Sequence, residues 1–274
     1  MSARLNHRYR RALVTGASSG LGLAFAEMLL SDGVEVWATS RRIERIPDRE
    51  GLHPVELDLA DASSLDRFLS ELREKMPDFD LVVNNAGYGG FFPFESYPEP
   101  EIGQQIDVLV TGPARICRWV YESMRARGDG VIVNISSLAA EFPLPYMSMY
   151  NAGKSGLSGF SRSLMIEAVG TGVAVIDFQP GDFRTRFNES VNRDGESVEY
   201  SETVKLAWDK IDEYFREAPE VDVAAARLRA ALVRPRSGIV RTGDFFQSVL
   251  APFLSRFVSR RTLNFVLRKH YRLP

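Results

Sequence analysis

At 274 residues, 45% of them apolar and 26% charged, the chain has the balance of an ordinary globular protein and enough apolar side chains for a sizeable core. A net charge of −2 excludes a general electrostatic pull towards nucleic acid, and the single cysteine, Cys117, excludes an internal disulfide framework. No run of about 18 apolar residues suggests a spanning helix, and the basic start MSARLNHRYRR lacks the apolar stretch of a secretory signal, so a cytoplasmic location is expected.

Read in order, the chain alternates short β-branched runs with longer helical stretches. ALVT (12–15) reads as a strand, and LGLAFAEMLLSDG (21–33) as a helix closed by Gly33. VEVWATS (34–40) and HPVELD (53–58) are the next strands, followed by a helix over ASSLDRFLSELREKM (62–76). DLVVNN (80–85), GVIVNISS (130–137) and VAVIDFQ (173–179) come next, with a long helical region between the first two. Strands that are nearly uninterrupted apolar runs, each followed by a helix, predict a doubly wound α/β fold, a Rossmann-type parallel sheet covered on both faces. Cys117 has neither a base nor a metal-ligand partner nearby and reads as a small buried residue, so no metal site is expected.

Beyond residue 182 the pattern changes. Residues 188–222 are acidic and polar around an amphipathic stretch, SETVKLAWDKIDEYF (201–215), and SGIVRTG (237–243) alternates like a strand. The last 30 residues carry apolar pairs about every four positions, Phe245/Phe246, Val249/Leu250, Phe253/Leu254 and Phe257/Val258. Their polar side carries Arg256, Arg260, Arg261, Arg268, Lys269 and Arg272, with Asp244 the only nearby acid, and Pro252 predicts a break in the segment. We expect one domain over 1–243, with a substrate loop at 183–222, and a basic amphipathic helical extension over 244–274. Three roles for the extension stay open: a peripheral contact with anionic lipid on the cytoplasmic face, a cover for a pocket or a subunit interface, or a helix packed on its own domain with solvated arginines.

The first strand runs into TGASSGLG (15–22), where Gly16, Gly20 and Gly22 permit a tight turn and the approach of backbone to a pyrophosphate at a helix N-terminus. The spacing is G-x-x-x-G-x-G, and the lysine of a P-loop is missing, which argues against triphosphate hydrolysis. Ser18, Ser19 and Leu21 belong to the same candidate cofactor turn. Further on, SMYNAGKSG (148–156) puts Tyr150 and Lys154 one helical turn apart on one face.

With NNAG (84–87), these motifs in this order resemble the short-chain dehydrogenase/reductase family over roughly residues 10–185. The resemblance implies an NAD(P)-dependent oxidoreductase. It assigns Tyr150 as acid/base, Lys154 as the group that tunes it and holds the ribose, and Ser137, thirteen positions before Tyr150, as the group that positions the substrate oxygen. It also assigns cofactor contacts to Asn85, Ala86 and Gly87, and to Pro180, Gly181, Phe183 and Thr185 of QPGDFRT (179–185). The physical reading agrees: a phenol with a pKa of about 10 is a poor proton shuttle at neutral pH, and an adjacent ammonium together with a positive nicotinamide would lower it. One position departs from the family pattern. Leu109, in DVLVTGP (107–113), stands where many members have an asparagine that helps hold a relay water.

Family members that prefer NAD end the second strand with an acid; here Ser40 is followed by Arg41 and Arg42, which favours NADP unless the arginines are only a solvated loop pair. Asp58 and Leu59 match the adenine-holding position, and Asp58 also reads as a helix N-cap. The loops YGGFFPF (88–94) and LAAEFPLPYM (138–147), with Phe183 and Phe187, suit a lipophilic carbonyl or alcohol, or else merely pack. The resemblance also implies a homo-oligomer. The competing reading is an NADP-binding sensor or scaffold with little turnover.

Overall fold

Of the runs predicted as strands, DLVVNN and GVIVNISS vanish almost completely from solvent, whereas HPVELD and SGIVRTG stay partly exposed. The computed structural model describes residues 4–74, 76, 78–185, 187, 191–193 and 201–274. Its strands are β1 (Arg11–Val14), β2 (Glu35–Ser40), β3 (Leu52–Glu56), β4 (Leu81–Asn84), β5 (Gly130–Ile135), β6 (Val173–Pro180) and β7 (Gly238–Thr242). The described residues form one seven-stranded, all-parallel sheet in the order β3-β2-β1-β4-β5-β6-β7. Every residue of β4 and β5 is buried, so neither face needs polar residues and the alternation of a half-exposed strand is absent.

The helices are α1 (Gly20–Ser31), α2 (Ala62–Glu74), α3 (Glu99–Ile106), α4 (Gly112–Arg127), α5 (Ser148–Glu167), α6 (Glu202–Glu217), α7 (Val221–Val233), α8 (Ala251–Leu254) and α9 (Arg260–His270). Alternate strand residues feed opposite layers. Val14, Val83 and Val131 pack with Phe25 and Leu29 of α1 and Leu228 and Leu232 of α7. Leu13, Val82 and Ile132 pack with Phe68 of α2, Ile116 of α4 and Leu164 of α5. Each such side chain contributes about 1.5–3 kcal/mol of burial. A third cluster, over the carboxyl ends of the strands, joins Leu109 and Tyr150 to Val204 and Ile211 of α6 and to Tyr271 beyond α9. Strand order reverses between β1 and β4, the switch point at which such sheets open a crevice.

Two prolines are accommodated by the same device. Asp107–Thr111 forms a π-helical turn before α4, closed by the Gly112 N–H donating to the Asp107 carbonyl, and Pro113 follows at once. Phe246–Leu250 forms a second, closed by the Ala251 N–H on the Phe246 carbonyl, with Pro252 next. Proline has no N–H to donate, and the wider turn lets the chain continue helically past it. The extension therefore stays helical through Pro252, where its sequence predicts a break. It stays helical through the short turn Ser255–Phe257 and breaks at Val258, which is extended.

Candidate active site

A cavity of about 610 Å³ lies along the carboxyl ends of the strands. At one end the β1–α1 turn contributes Gly16, Ser18, Ser19, Gly20 and Leu21. Gly16 and Gly20 take left-handed φ of +66° and +57°, and a Cβ on Gly16 would stand 2.8 Å from the Ala86 Cα. The N-cap Ser19 makes no side-chain cap bond and α1 has no acid in its first turn, which leaves the amides of that turn available to a phosphate. The residues present therefore fit the pyrophosphate of a dinucleotide. Gly22 does not reach the cavity: it lies beneath the turn, where a Cβ would fall 2.3 Å from the Gly16 carbonyl oxygen, so its part is close packing. Asn85, Ala86 and Gly87 continue the cavity wall beside that turn. Thr15 Oγ1 fastens that wall by accepting the Asn85 and Ala86 amides at 2.9 and 3.0 Å.

Ser40, Arg41, Asp58 and Leu59 line the outer end. Arg42 does not, and its amide instead donates to Ser40 Oγ at 3.1 Å. The second arginine on the cavity is Arg45, one short turn further along. Its signal in the sequence was its spacing of four from Arg41, which a loop reading passes over. Asp58 is not the N-cap of α2: its Oδ1 accepts the Ala60 amide at 3.0 Å, whereas Asp61, directly before the helix, accepts the Ser63 amide at 2.9 Å.

At the inner end Ser137, Tyr150 and Lys154, all buried, meet. Ser137 follows β5, and its Oγ accepts the Ala139 amide at 3.0 Å. The segment before α5 is strained into place, with Tyr146 at φ +61° and its ring against Phe91. Lys154 Nζ donates to the Ile135 carbonyl at 2.7 Å and lies 5.8 Å from the centre of the Tyr150 ring. Burial pulls the Lys154 pKa down to about 8, opposed by the negative charge of Asp177. Asp177 is buried behind it, holding the hydroxyls of Ser136 and Ser158 and the Gln179 amide. Burial pushes Tyr150 up to about 12, against a lowering hydrogen bond from Ser137 and helped by the charge of Asp182. With the protein's own groups alone, the downward tuning expected of Tyr150 is thus outweighed by desolvation.

Asp182, inside QPGDFRT, is a site residue that its sequence context does not mark. It lines the cavity, burial raises its pKa, and it accepts Gln247 Nε2 of the extension at 2.8 Å. Pro180, Gly181, Phe183 and Thr185 line the same wall.

Leu109 is fully buried and wedged between two glycines. A Cβ on Gly153 would lie 2.6 Å from its Cδ1, and one on Gly87 2.9 Å from its Cδ2. Gly153 and Gly156 therefore admit the π-turn of Leu109 and Val110 against α5. Pro113 removes the helical N–H that the Leu109 carbonyl would otherwise receive.

Of YGGFFPF only Gly87's neighbour Tyr88 faces the cavity, while Phe91 and Phe92 are buried beneath and Phe94 is exposed. Leu144, Phe187 and Phe215 are the apolar wall, with Phe187 5.6 Å from the Tyr150 ring and 5.8 Å from Phe215. Asn192 straps across it by backbone bonds to Gly89 and Phe91, and its side chain donates to Glu101 at 2.6 Å.

Comparison with known proteins agrees with this geometry. A 3-ketodihydrosphingosine reductase of Bacteroides thetaiotaomicron is 32% identical over 183 residues, 66% of this chain and 66% of that one. The chain spans just under two thirds of the length of the first curated relatives it matches. A short-chain dehydrogenase structure from Streptomyces avermitilis superposes with a TM-score of 0.77 at 30% identity, covering 90% of this chain and 93% of that one. A Burkholderia cenocepacia short-chain dehydrogenase in complex with NADP gives a TM-score of 0.72 at 26% identity, over 94% and 96%. Residues 10–196 match the profile of the short chain dehydrogenase family, and with the seven-stranded parallel sheet this establishes that the chain belongs to the short-chain dehydrogenase/reductase family of NAD(P)-dependent oxidoreductases.

Proposed function

We propose that the protein is an NADP(H)-dependent reductase that interconverts a carbonyl and an alcohol on a lipophilic substrate. The observation that carries this reading is the meeting of Ser137, Tyr150 and Lys154 at the inner end of a cavity whose outer end is lined by Arg41 and Arg45 and no acid at the Ser40 position. Two guanidiniums suit a 2′-phosphate, and the NADP-bound Burkholderia relative supports the same choice.

A nicotinamide cofactor bound there supplies or takes the hydride. The remaining steps belong to the chain. Ser137 Oγ donates to the substrate oxygen and fixes its direction. Tyr150, held protonated by burial, gives its proton to that oxygen as it becomes an alkoxide, or takes it back in the reverse direction. Lys154, charged below about pH 8, stabilises the tyrosinate left behind and holds the ribose hydroxyls. Phe187 and Phe215, set in a row outward from Tyr150, exclude water and favour an apolar substrate; the likeness to the 3-ketodihydrosphingosine reductase supports that class.

The test is NADPH oxidation against ketones and aldehydes of increasing chain length. Tyr150→Phe lowers kcat/KM at least about hundredfold with NADPH binding retained, and KM falls as the chain lengthens. Turnover that survives Tyr150→Phe refutes the mechanism. NADPH binding with no Tyr150-dependent turnover on any substrate favours the sensor reading, which rests on Leu109 filling the space beside Lys154.

A further inference from the structure

The helical run Phe246–Phe257 is packed inside out. Its small and polar residues Gln247, Ser248, Ala251, Pro252 and Ser255 turn towards the domain, with Pro252 buried and Gln247 bonded to Asp182. Its large apolar residues turn to solvent: Phe245 is 72% exposed, Phe253 55% and Phe257 74%, with Val249 and Leu254 between them. Phe253 and Phe257 meet edge to face, with ring centres 5.3 Å apart, and so form one outward ridge. α9 adds Phe265 and Val266, also exposed, while its other side, through Leu267 and Tyr271, packs into the cluster that holds Tyr150. An ordinary surface helix does the opposite, and exposed apolar ridges of this size mark a surface that is covered in use.

What covers it is indicated by charge. Residues 244–274 hold six arginines and lysines and one acid, a net +5 in a chain whose total is −2. Arg256, Arg260, Arg261 and Lys269 are exposed, and among the described residues none has a carboxylate at ion-pair distance. A second copy related by a two-fold axis would face the same positive segment, so self-pairing here opposes like charges. An anionic lipid surface meets both properties at once, taking the ridge into its acyl boundary and the cations at its headgroups. No helix among the described residues is long and apolar enough to cross a membrane, which leaves contact in the interface plane.

We propose that residues 245–266 dock the protein peripherally on anionic membranes, with the aromatic ridge inserted and the arginines at the headgroups. The proposal does not depend on the substrate class. Gln247 on Asp182 ties the docking segment to the cavity wall, and Tyr271, just beyond it, belongs to the same apolar cluster as Tyr150, so docking holds the site at the lipid surface.

The test is co-sedimentation of the full chain with vesicles of phosphatidylcholine, with and without about one third phosphatidylglycerol. The full chain pellets with the anionic vesicles and is released by salt. The Phe253→Ser/Phe257→Ser variant, altered only at exposed positions, loses roughly hundredfold in partition, about tenfold per ring. Arg260→Ala/Arg261→Ala loses about tenfold or more on anionic vesicles and nothing on neutral ones. NADPH binding and helicity stay unchanged in both, which excludes misfolding as the cause. Equal binding by variants and parent, or no binding by the parent, overturns the proposal. A dimer in light scattering that the phenylalanine variant dissociates, without vesicle binding, assigns the surface to a second copy instead.

Discussion

Replacing Lys154 by methionine keeps the length of the side chain and removes an ammonium that the fold holds against its preference. Burial pulls its pKa from 10.5 to about 8. At about 1.4 kcal/mol per pH unit, carrying that charge into the folded protein costs about 3 kcal/mol. Below pH 8 the lysine is charged in both folded and unfolded chains, and the whole cost is present. As pH rises from about 8 to 10.5 the folded chain gives up its proton first, the unfolded chain holds more protons, and stability rises. By pH 10 only about 1 kcal/mol of the cost remains. Methionine also forfeits the 2.7 Å hydrogen bond to the Ile135 carbonyl. That loss is about 1 kcal/mol, so Lys154→Met is expected to be about 2 kcal/mol more stable than the parent at pH 7. At pH 10 the two should be nearly equal in stability, while at pH 7, where the parent lysine is charged, kcat/KM falls by at least about hundredfold. Urea unfolding of both proteins at the two pH values is the assay. A stability difference that is the same at pH 7 and pH 10 would refute the argument, because the buried ammonium would then not be the source.

Three further outcomes follow from the same geometry. Arg45→Ala should weaken NADPH binding about tenfold to hundredfold and leave NADH within about twofold, by fluorescence titration; equal losses for both cofactors would remove Arg45 from the phosphate end. Asp182→Asn removes a charge that raises the Tyr150 pKa, so ultraviolet titration should show its tyrosinate forming at lower pH and the alkaline limb of reduction moving down; an unmoved limb would separate Asp182 from Tyr150. Leu109→Asn should lower stability by about 1–3 kcal/mol, since a fully buried amide replaces the leucine wedged between Gly87 and Gly153. A variant as stable as the parent would reveal a polar partner at that spot.

Much of the architecture was legible without coordinates, for physical reasons that are local. Strands buried on both faces must be continuous apolar runs, so ALVT, DLVVNN, GVIVNISS and VAVIDFQ declare themselves, whereas the edge run HPVELD is mixed because β3 is mostly exposed. A helix repeats every 3.6 residues, so Tyr150 and Lys154 share a face wherever α5 lies. The glycine turn announces a tight backbone before any neighbour is known, but not that Gly20 lines the cavity while Gly22 packs beneath it.

What the sequence determined by itself is therefore the order of the elements and the residues at the strand ends, because each depends on its near neighbours in the chain. What only the tertiary structure decided are the meetings between distant segments. Arg45 and not Arg42 joins Arg41 on the cavity, because a short helical turn rotates one inward and the other away. Asp182 meets Gln247, 65 positions on, and Leu109 fits between Gly87 and Gly153. The extension shows the difference most directly. Its periodic apolar pairs define a helix face, but which face turns outward depends on what the domain offers to receive it, and here the domain receives the glutamine, serine and proline side.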